Sequence, residues 1–193
     1  MPRVAALLAA GGGSRFVGGD HKLLADLHGQ PVWHHAVRHV AAAGFDHVVV
    51  VTGAIALTLP NDIDPQHVVL RHNPHWADGQ ARSVRLAVSA AGEWGADAVT
   101  VGLADQPFVS AAAWRAVADA PTDCRIVIAT YDGEPGPNPV RLAADVWPLL
   151  PTDGDAGARS LIRDHPQWVC RVACVGSGAD IDTLEDLDRW NHC

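Results

Sequence analysis

The chain passes from an apolar run directly into a glycine-rich, cationic loop, Leu8-Ala9-Ala10-Gly11-Gly12-Gly13-Ser14-Arg15-Phe16, which continues through Gly18-Gly19-Asp20-His21-Lys22. Consecutive glycines let the backbone adopt conformations that other residues avoid, and they allow a ligand to approach the main chain closely. Successive exposed N–H groups in such a turn form a concave site for anions. Because Arg15 and Lys22 add two positive charges, the loop predicts a binding site for a polyphosphate.

The segments on either side of this loop alternate between strand and helix patterns. Val4 to Leu8 predicts a first strand, and apolar residues recur at helical spacing from Pro31 to Gly44. The run from His47 to Thr52 is rich in valine, which is typical of a strand buried on both faces. Such alternation predicts a mostly parallel sheet covered by helices on both sides, a three-layer α/β/α fold. Ligands of these sheets bind beyond the carboxyl ends of the strands, where the glycine loop lies.

The remaining segments follow the same alternation. Further strands are predicted at Val68 to Leu70, Ala98 to Leu103, Arg125 to Thr130 and Trp168 to Val175. Further helices are predicted from Gly79, after a Ser110 cap, near Ala143 to Leu150, near Asp155 to Arg163, and from Thr183 to Trp190. The segment Asp132 to Pro139 is rich in glycine and proline and predicts a loop.

Composition and charge limit the classes of partner. The formal net charge is −8 and the pI about 5.7, so we expect no broad basic surface for nucleic acid. The 193 residues fit one domain, residues 1–193, and 48% of them are apolar. No apolar stretch approaches the roughly 18 residues of a membrane span, and the short run after Met1-Pro2-Arg3 does not resemble a signal peptide. We therefore expect a small-molecule partner and no membrane.

The pattern of cysteines predicts the redox state of the cellular compartment. Cys124, Cys170, Cys174 and Cys193 form no CxxC pair, and Cys170 and Cys174 would share one face of a strand as core residues. This usage predicts reduced thiols and a cytoplasmic location. The eleven histidines show no third ligand at a recognisable metal-binding spacing.

Three kinds of phosphate-binding loop can be compared with this one. A P-loop requires Ser or Thr after GxxxxGK, whereas Leu23 follows Lys22. A dinucleotide-binding GxGxxG motif would have glycine in place of Phe16 and a carboxylate closing the second strand, which instead ends Val51-Thr52-Gly53. A glycine turn without a ligand is a further alternative. The third kind is the loop of nucleotidyltransferases.

That third kind carries a family resemblance. Leu8-Ala9-Ala10-Gly11, Arg15 and Lys22 resemble the LAAGxSxRMGxxK signature of the molybdenum cofactor cytidylyltransferase-like (MobA/MocA-like) NTP transferases. Four further motifs follow in the family's order along nearly the whole chain: Asn73-Pro74-His75-Trp76 with Gly79 and Ser83, Gly102-Leu103-Ala104-Asp105-Gln106-Pro107, Gly154-Asp155-Ala156-Gly157-Ala158-Arg159, and Asp180-Ile181-Asp182-Thr183-Leu184-Glu185-Asp186-Leu187. The chain departs from the family in about two extra residues before Lys22 and in Asn138, where the family has histidine.

The resemblance implies a Rossmann-like nucleotidyltransferase fold and a Mg²⁺-dependent reaction. CMP would pass from CTP to a phosphorylated acceptor, molybdopterin or molybdenum cofactor, with release of pyrophosphate and possible contact with a molybdoenzyme or its chaperone. Rival interpretations are a guanylyl, sugar-phosphate or phospholactate nucleotidyltransferase, and a nucleotide-binding regulator without catalysis. The implied nucleotide-binding residues are Leu8, Ala9, Ala10, Gly11, Gly12, Arg15, Lys22, Gly79, Ser83 and Asp105; Arg15, Lys22 and Asp105 would be catalytic, and Asp105 and Asp182 would bind the metal.

The chemistry of these residues gives independent reasons for two of the roles. Asp105 leaves the carboxyl end of a predicted strand, where a carboxylate can hold Mg²⁺ beside phosphates, although an Asx-turn before Pro107 is the alternative. Asp180 and Asp182 would lie on one side of an extended segment, where Asp182 is the candidate partner of Asp105 in metal binding. The alternative is that these acids only stabilise the N-terminus of the next helix. The resemblance adds a prediction of its own. The guanylyl-transferring relatives resemble LAGG here, with glycine at the position of Ala10, and because the methyl group of Ala10 narrows the slot for the base, we expect a preference for cytidine.

One further prediction concerns the acceptor. A helix beginning within Gly154 to Arg159 would present an N-terminus to an anionic group of the acceptor, or would be an ordinary capped helix.

Overall fold

Nine strands and five helices occur in residues 1–16 and 21–192, which this computed structural model describes. The strands are β1 Val4–Ala9, β2 Asp26–Leu27, β3 Gln30–Pro31, β4 His47–Thr52, β5 Val68–His72, β6 Ala98–Leu103, β7 Ile126–Tyr131, β8 Glu134–Ala143 and β9 Val169–Ala173. The helices are α1 Val32–Ala41, α2 Gln80–Glu93, α3 Ala111–Ala118, α4 Arg159–Asp164 and α5 Leu184–Asn191, with short 3-10 turns at Lys22–Leu24, Trp76–Asp78, Ala144–Leu149 and Pro166–Trp168. Gly18, Gly19 and Asp20 of the predicted loop, and Cys193, lie outside the described residues.

Seven of the strands form one sheet in the order β5-β4-β1-β6-β8-β7-β9, and β2 and β3 form a separate hairpin. β1 runs parallel to β4 and β6, which places Val4 beside His47 and Val99. Since β4 pairs with β5 and β7 with β9 in parallel, the sheet is mostly parallel. The glycine loop leaves β1 between two parallel neighbours, at the edge where strands in this sheet end.

Helices cover both faces of the sheet. On one face α1 and α3 pack through the buried side chains of Trp33, Val37 and Trp114. On the other face α2 and α4 contribute Val88 and Leu161 to a second core. This confirms the predicted three-layer α/β/α class, with β4 and β6 at their predicted bounds.

A third, smaller core holds the C-terminal helix near the glycine loop. It contains Leu187 of α5, Ile181 from the segment before α5, Phe16 from the loop, and Leu27 and Val32 from the hairpin region. The Ile181 and Leu27 side chains are fully buried. This packing fixes the segment around residue 181 against the loop that follows β1.

The predicted loop from Asp132 to Pro139 is wrong, because most of it belongs to β8. The regular half of β8 runs antiparallel between β6 and β7, with Val140 facing both Val101 and Ile128. The proline-rich half pairs only with the end of β7, beyond an irregularity between Ile128 and Thr130. Prolines lack the N–H that a regular ladder uses, and they are tolerated where pairing is one-sided and irregular.

Two other boundaries differ from the sequence interpretation for backbone reasons. The helix predicted near Asp155 begins only at Arg159, because Gly154 and Gly157 have φ angles of +80° and +50°, which a right-handed helix does not allow. The segment near Ala143 to Leu150 is a 3-10 turn with Pro148 inside it. The helix N-terminus predicted within Gly154 to Arg159 therefore lies at the end of that segment, with Ala158 as the N-cap and Arg159 as the first helical residue.

The prediction of reduced cysteines is wrong for Cys124 and Cys170, which form a disulfide across 46 positions of sequence. The parallel register of β7 and β9 sets Val127 beside Cys170, so the residues preceding β7 come close to β9. Pairing between strands is not visible in local sequence spacing. Cys174 is a free, half-buried thiol, and burial raises its pKa.

None of the helices in the described residues combines the length and the apolar character that crossing a membrane requires.

Candidate functional site

A cavity of about 320 Å³ opens beyond the carboxyl ends of β1 and β6. Nine of the predicted nucleotide-binding residues line it: Leu8, Ala9, Ala10, Gly11, Gly12, Lys22, Gly79, Ser83 and Asp105. Trp76, Gln80, Leu103 and Asp155 are among the other lining residues. The first and second predicted motifs therefore face each other across one cavity, although they are separated by more than a full α/β unit of sequence.

The other two predicted residues, Arg15 and Asp182, lie beside a smaller cavity of about 100 Å³. Gly13, Ser14 and Lys22 also line this space. Lys22 is thus shared by the two cavities and marks where they meet.

An ion cluster joins the two cavities. The Lys22 Nζ donates to Asp105 Oδ2 and to Asp182 Oδ1, at 2.6 Å each. The Arg15 Nη1 donates to Asp182 Oδ2 at 2.5 Å. All three predicted catalytic residues and both predicted metal ligands therefore belong to one connected group of charges.

The main chain holds the two carboxylates close together. Asp105 follows the end of β6, and its backbone carbonyl accepts a hydrogen bond from the Ile181 N–H at 2.9 Å. Asp182 is the next residue, immediately before the Thr183 cap of α5. Because Ile181 is fully buried in the third core, the position of Asp182 relative to Asp105 is set by packing and by this hydrogen bond.

Burial gives this cluster unusual proton affinities. Burial raises the pKa of the Asp105 carboxyl above its ordinary value, although Lys22 pulls it the other way and Asp180 and Asp182 add to the rise. Burial alone would lower the pKa of Lys22, but its attraction to Asp105 and its hydrogen bonds to both carboxylates raise that pKa overall. Asp105 thus lies near two further carboxylates, those of Asp180 and Asp182, and a cation bound here would offset their repulsion.

The spare oxygen of Asp105 points to the same conclusion. Asp105 Oδ1 is buried and accepts no hydrogen bond from the described residues. Hard divalent cations take oxygen ligands, so the carboxylates of Asp105 and Asp182 fit such an ion. Within residues 1–16 and 21–192, no group of three or more His, Cys, Asp or Glu side chains forms a metal cluster, so further oxygen ligands would come from phosphate or water.

His21 makes contacts at the candidate site that sequence reasoning did not identify. Its Nδ1 accepts from the Leu23 N–H at 3.3 Å, which leaves Nε2 to donate to the Gly11 carbonyl at 2.9 Å. One imidazole therefore joins the glycine loop to the turn that carries Lys22. Its place next to Lys22 is the only sequence signal, and it does not reveal the contact with Gly11.

Ser83 reaches the cavity from the first turns of α2, and a buried asparagine orients it. The Asn73 Nδ2 donates to Ser83 Oγ at 3.0 Å, while Asn73 Oδ1 accepts from the His75 N–H at 2.9 Å. With one lone pair of Ser83 occupied by Asn73, the hydroxyl hydrogen of Ser83 remains available to a ligand. Asn73 belongs to the second predicted motif, but its action through Ser83 becomes visible only in the fold.

Comparison with known proteins places this chain in a family. The family model of the MobA-like NTP transferase domain matches residues 5–169. The purine catabolism protein PucB of Bacillus subtilis (strain 168) is 29% identical over 198 residues, which cover 96% of this chain and 94% of that protein.

Solved structures agree with the family match. A nucleotidyl transferase from Methanothermobacter thermautotroptrophicus, Mth528, has a TM-score of 0.81 and 25% identity, covering 99% of this chain and 96% of that one. Rv0371c from Mycobacterium tuberculosis H37Rv has a TM-score of 0.82 at 24% identity, covering 100% and 99%, and its likeness shows the fold alone. A second structure of Rv0371c is a complex with manganese, with a TM-score of 0.75 and 24% identity over 100% of this chain and 99% of that one. Since the family model spans most of the sequence, the chain belongs to the MobA-like NTP transferase family and is a nucleotidyltransferase.

Proposed function

We propose that this chain transfers CMP from CTP to a phosphorylated acceptor, with Mg²⁺ as cofactor and pyrophosphate as the second product. The acceptor we favour is molybdopterin or molybdenum cofactor. The observation that carries the proposal is the Lys22–Asp105–Asp182 ion cluster at the mouth of the glycine-loop cavity. A triphosphate in that cavity would meet backbone N–H groups, two cations and two carboxylates in one place.

Asp105 and Asp182 would hold the Mg²⁺. Asp105 Oδ1, which has no hydrogen-bond partner among the described residues, supports this role together with the nearby Asp182 carboxylate, and the manganese bound to Rv0371c supports a divalent ion in this fold. Such an ion, when bound, supplies charge neutralisation and Lewis-acid polarisation at the phosphate oxygens.

The side chains would mainly bind and orient the reactants. Arg15 and Lys22 would exchange part of their bonding with the carboxylates for phosphate oxygens, and so neutralise the triphosphate. An oxygen of the acceptor phosphate then attacks the α-phosphorus, and the bond from that phosphorus to the bridging oxygen of the β-phosphate breaks. Pyrophosphate leaves with the electron pair. Alignment of two anions in this way requires no nucleophilic side chain.

The preference for cytidine rests on Ser83 and Ala10. Ser83 has a hydroxyl hydrogen to donate, and cytosine presents two acceptors, O2 and N3, whereas the corresponding edge of guanine presents mainly donors. Ala10 lines the cavity, and its methyl group would occupy space that the larger purine needs. Steric discrimination by one methyl group is worth about 10- to 200-fold in kcat/KM.

The favoured acceptor, and contact with a molybdoenzyme or its chaperone, rest on the family match and on the five motifs together. The name of PucB refers to purine catabolism and specifies no acceptor.

A pyrophosphate-release assay tests the proposal, with each of the four NTPs offered in turn with molybdopterin, a sugar phosphate or phospholactate. We expect release with CTP and molybdopterin, at a kcat/KM about 10- to 200-fold above that with GTP. Equal values for CTP and GTP would favour a guanylyl transferase, and NTP binding without release from any acceptor would favour a regulator.

Substitution of Asp105 gives the sharper test of the site. Asp105→Asn keeps the shape but removes the charge, and we expect kcat to fall by about 10²- to 10³-fold. Asp164→Asn is the matched control, because Asp164 pairs only with its neighbour Arg163 on the surface. Near-normal Mg²⁺-dependent turnover of Asp105→Asn would remove this residue from the metal site.

A further inference from the structure

We infer that the nucleobase stacks on the side chain of Trp76. Trp76 would therefore make the site bind a nucleotide more tightly than a simple polyphosphate. This inference rests on the proposed function, because it concerns the same cavity. Trp76 lies in the 3-10 turn before α2 and lines the cavity, yet 36% of its surface remains exposed. A large aromatic side chain that is half exposed at a binding cavity has an apolar face to offer a ligand.

The other six tryptophans each have a ring partner or a side-chain hydrogen-bond partner in the part of the chain that the structure describes, whereas the side chain of Trp76 has neither there. Five of them pack against another aromatic ring or an imidazole, namely Trp33, Trp94, Trp114, Trp168 and Trp190. Trp147 donates its indole N–H to the Leu142 carbonyl. Within the part of the chain that the structure describes, Trp76 stacks on no aromatic ring.

Two glycines make room for this indole. A Cβ atom on Gly53 would lie 2.5 Å from the Trp76 Cβ and 2.7 Å from the Ala10 carbonyl oxygen. A Cβ atom on Gly12 would lie 3.1 Å from Trp76 Cζ3. The Trp76 side chain therefore lies directly against the glycine loop and against Gly53, which follows β4, and it lines the same cavity as Ser83.

This position matches the needs of a nucleoside triphosphate. The glycine loop serves the phosphates, Ser83 serves a polar edge of the base, and neither covers the flat face of the base. Stacking on an aromatic side chain is tolerant of base identity, because every base has a π face. Trp76 would therefore raise affinity for all NTPs, while Ser83 and Ala10 choose among them.

Calorimetry on the full chain with Mg²⁺ tests the inference, using CTP and inorganic triphosphate as the two ligands. We expect Trp76→Leu to weaken CTP binding about 5- to 150-fold and to leave triphosphate binding unchanged, since only CTP has a base to stack. Trp76→Phe should keep most of the CTP affinity. CTP should also quench the tryptophan emission of the parent and of the control Trp94→Phe, but not of Trp76→Phe.

Two results would overturn the inference. Equal weakening of CTP and triphosphate by Trp76→Leu would mean that the indole only supports the loop, and unchanged CTP affinity would mean that it does not contact the ligand. Failure of the proposed function is distinguishable, because it is measured as pyrophosphate release by the parent protein and not as the effect of Trp76→Leu on CTP binding.

Discussion

At the scale of single residues, Lys22 is the centre of the site because two carboxylates share its ammonium group. Motif spacing predicts that Lys22 faces a triphosphate, but it does not predict these carboxylate partners, which come from 83 and 160 positions away. The same holds for His21, whose bond to Gly11 depends on how the loop folds back. Residue types at the site could be read from the sequence, whereas their pairing required the fold.

The raised pKa of Asp105 predicts a specific effect on stability. Because burial raises this pKa, ionised Asp105 destabilises the ligand-free fold: its favourable contribution is complete below the ordinary carboxyl pKa and is lost as pH rises through the folded value. We therefore expect Asp105→Asn, although inactive, to melt at a higher temperature than the parent near pH 7. Thermal melts from pH 3 to pH 8 should show this difference growing with pH. A variant that melts below the parent throughout would show that the bond to Lys22 outweighs burial.

At the scale of elements, the turn before α5 is what positions the second carboxylate. Thr183 and Asp186 form a capping box at this helix, as the sequence predicts. Asp186 Oδ2 also accepts from the Asp182 N–H at 3.2 Å, so the cap extends to the proposed metal ligand itself. Helix signals of this kind are local and readable. The proline-rich half of β8 was not readable, because its pairing with β7 decides the conformation of a segment whose own composition favours a loop.

Removal of the Asp186 charge should affect stability in the opposite sense to Asp105. The hydrogen bond from Thr183 lowers the pKa of Asp186, so its contribution is present above the ordinary carboxyl pKa and is lost as pH falls through the folded value. We expect Asp186→Asn to reduce the free energy of unfolding by about 1 kcal/mol at neutral pH, the difference between charged and neutral hydrogen bonds. Melts should show the deficit disappearing in acid. Asp188→Asn on the same helix is the control, and an equal loss there would refute a role of the cap.

At the scale of the whole molecule, the candidate site and the disulfide lie at opposite ends of the strands. The cavity opens where β1 and β6 end, whereas the disulfide joins Cys124, just before β7 begins, to β9 at the sheet margin. β7 runs in the same direction as β6, since both are antiparallel to β8. The covalent link is therefore remote from the site.

This separation predicts that stability and activity respond differently to the loss of the disulfide. Closure of a loop of 46 positions stabilises the fold by about 4 kcal/mol in the chain-entropy model, so Cys170→Ser should lower the melting temperature by roughly 10 °C. At 25 °C we expect kcat/KM to stay within about twofold of the parent value, because the loss is remote from the cavity. Cys174→Ser controls for loss of a thiol without loss of the bond. A matching fall in kcat/KM would show that the two ends are coupled.

The long sequence separations within the ion cluster also mean that its members are synthesised at different times. Ribosomes add roughly 5–20 residues per second. Asp182 lies 160 positions after Lys22 in the chain, so it is added about 8 to 32 seconds later. A nascent chain in that interval already contains the glycine loop, but it lacks the second carboxylate and the helix that holds it. The ion cluster is therefore completed only near the end of synthesis, after the glycine loop has been made.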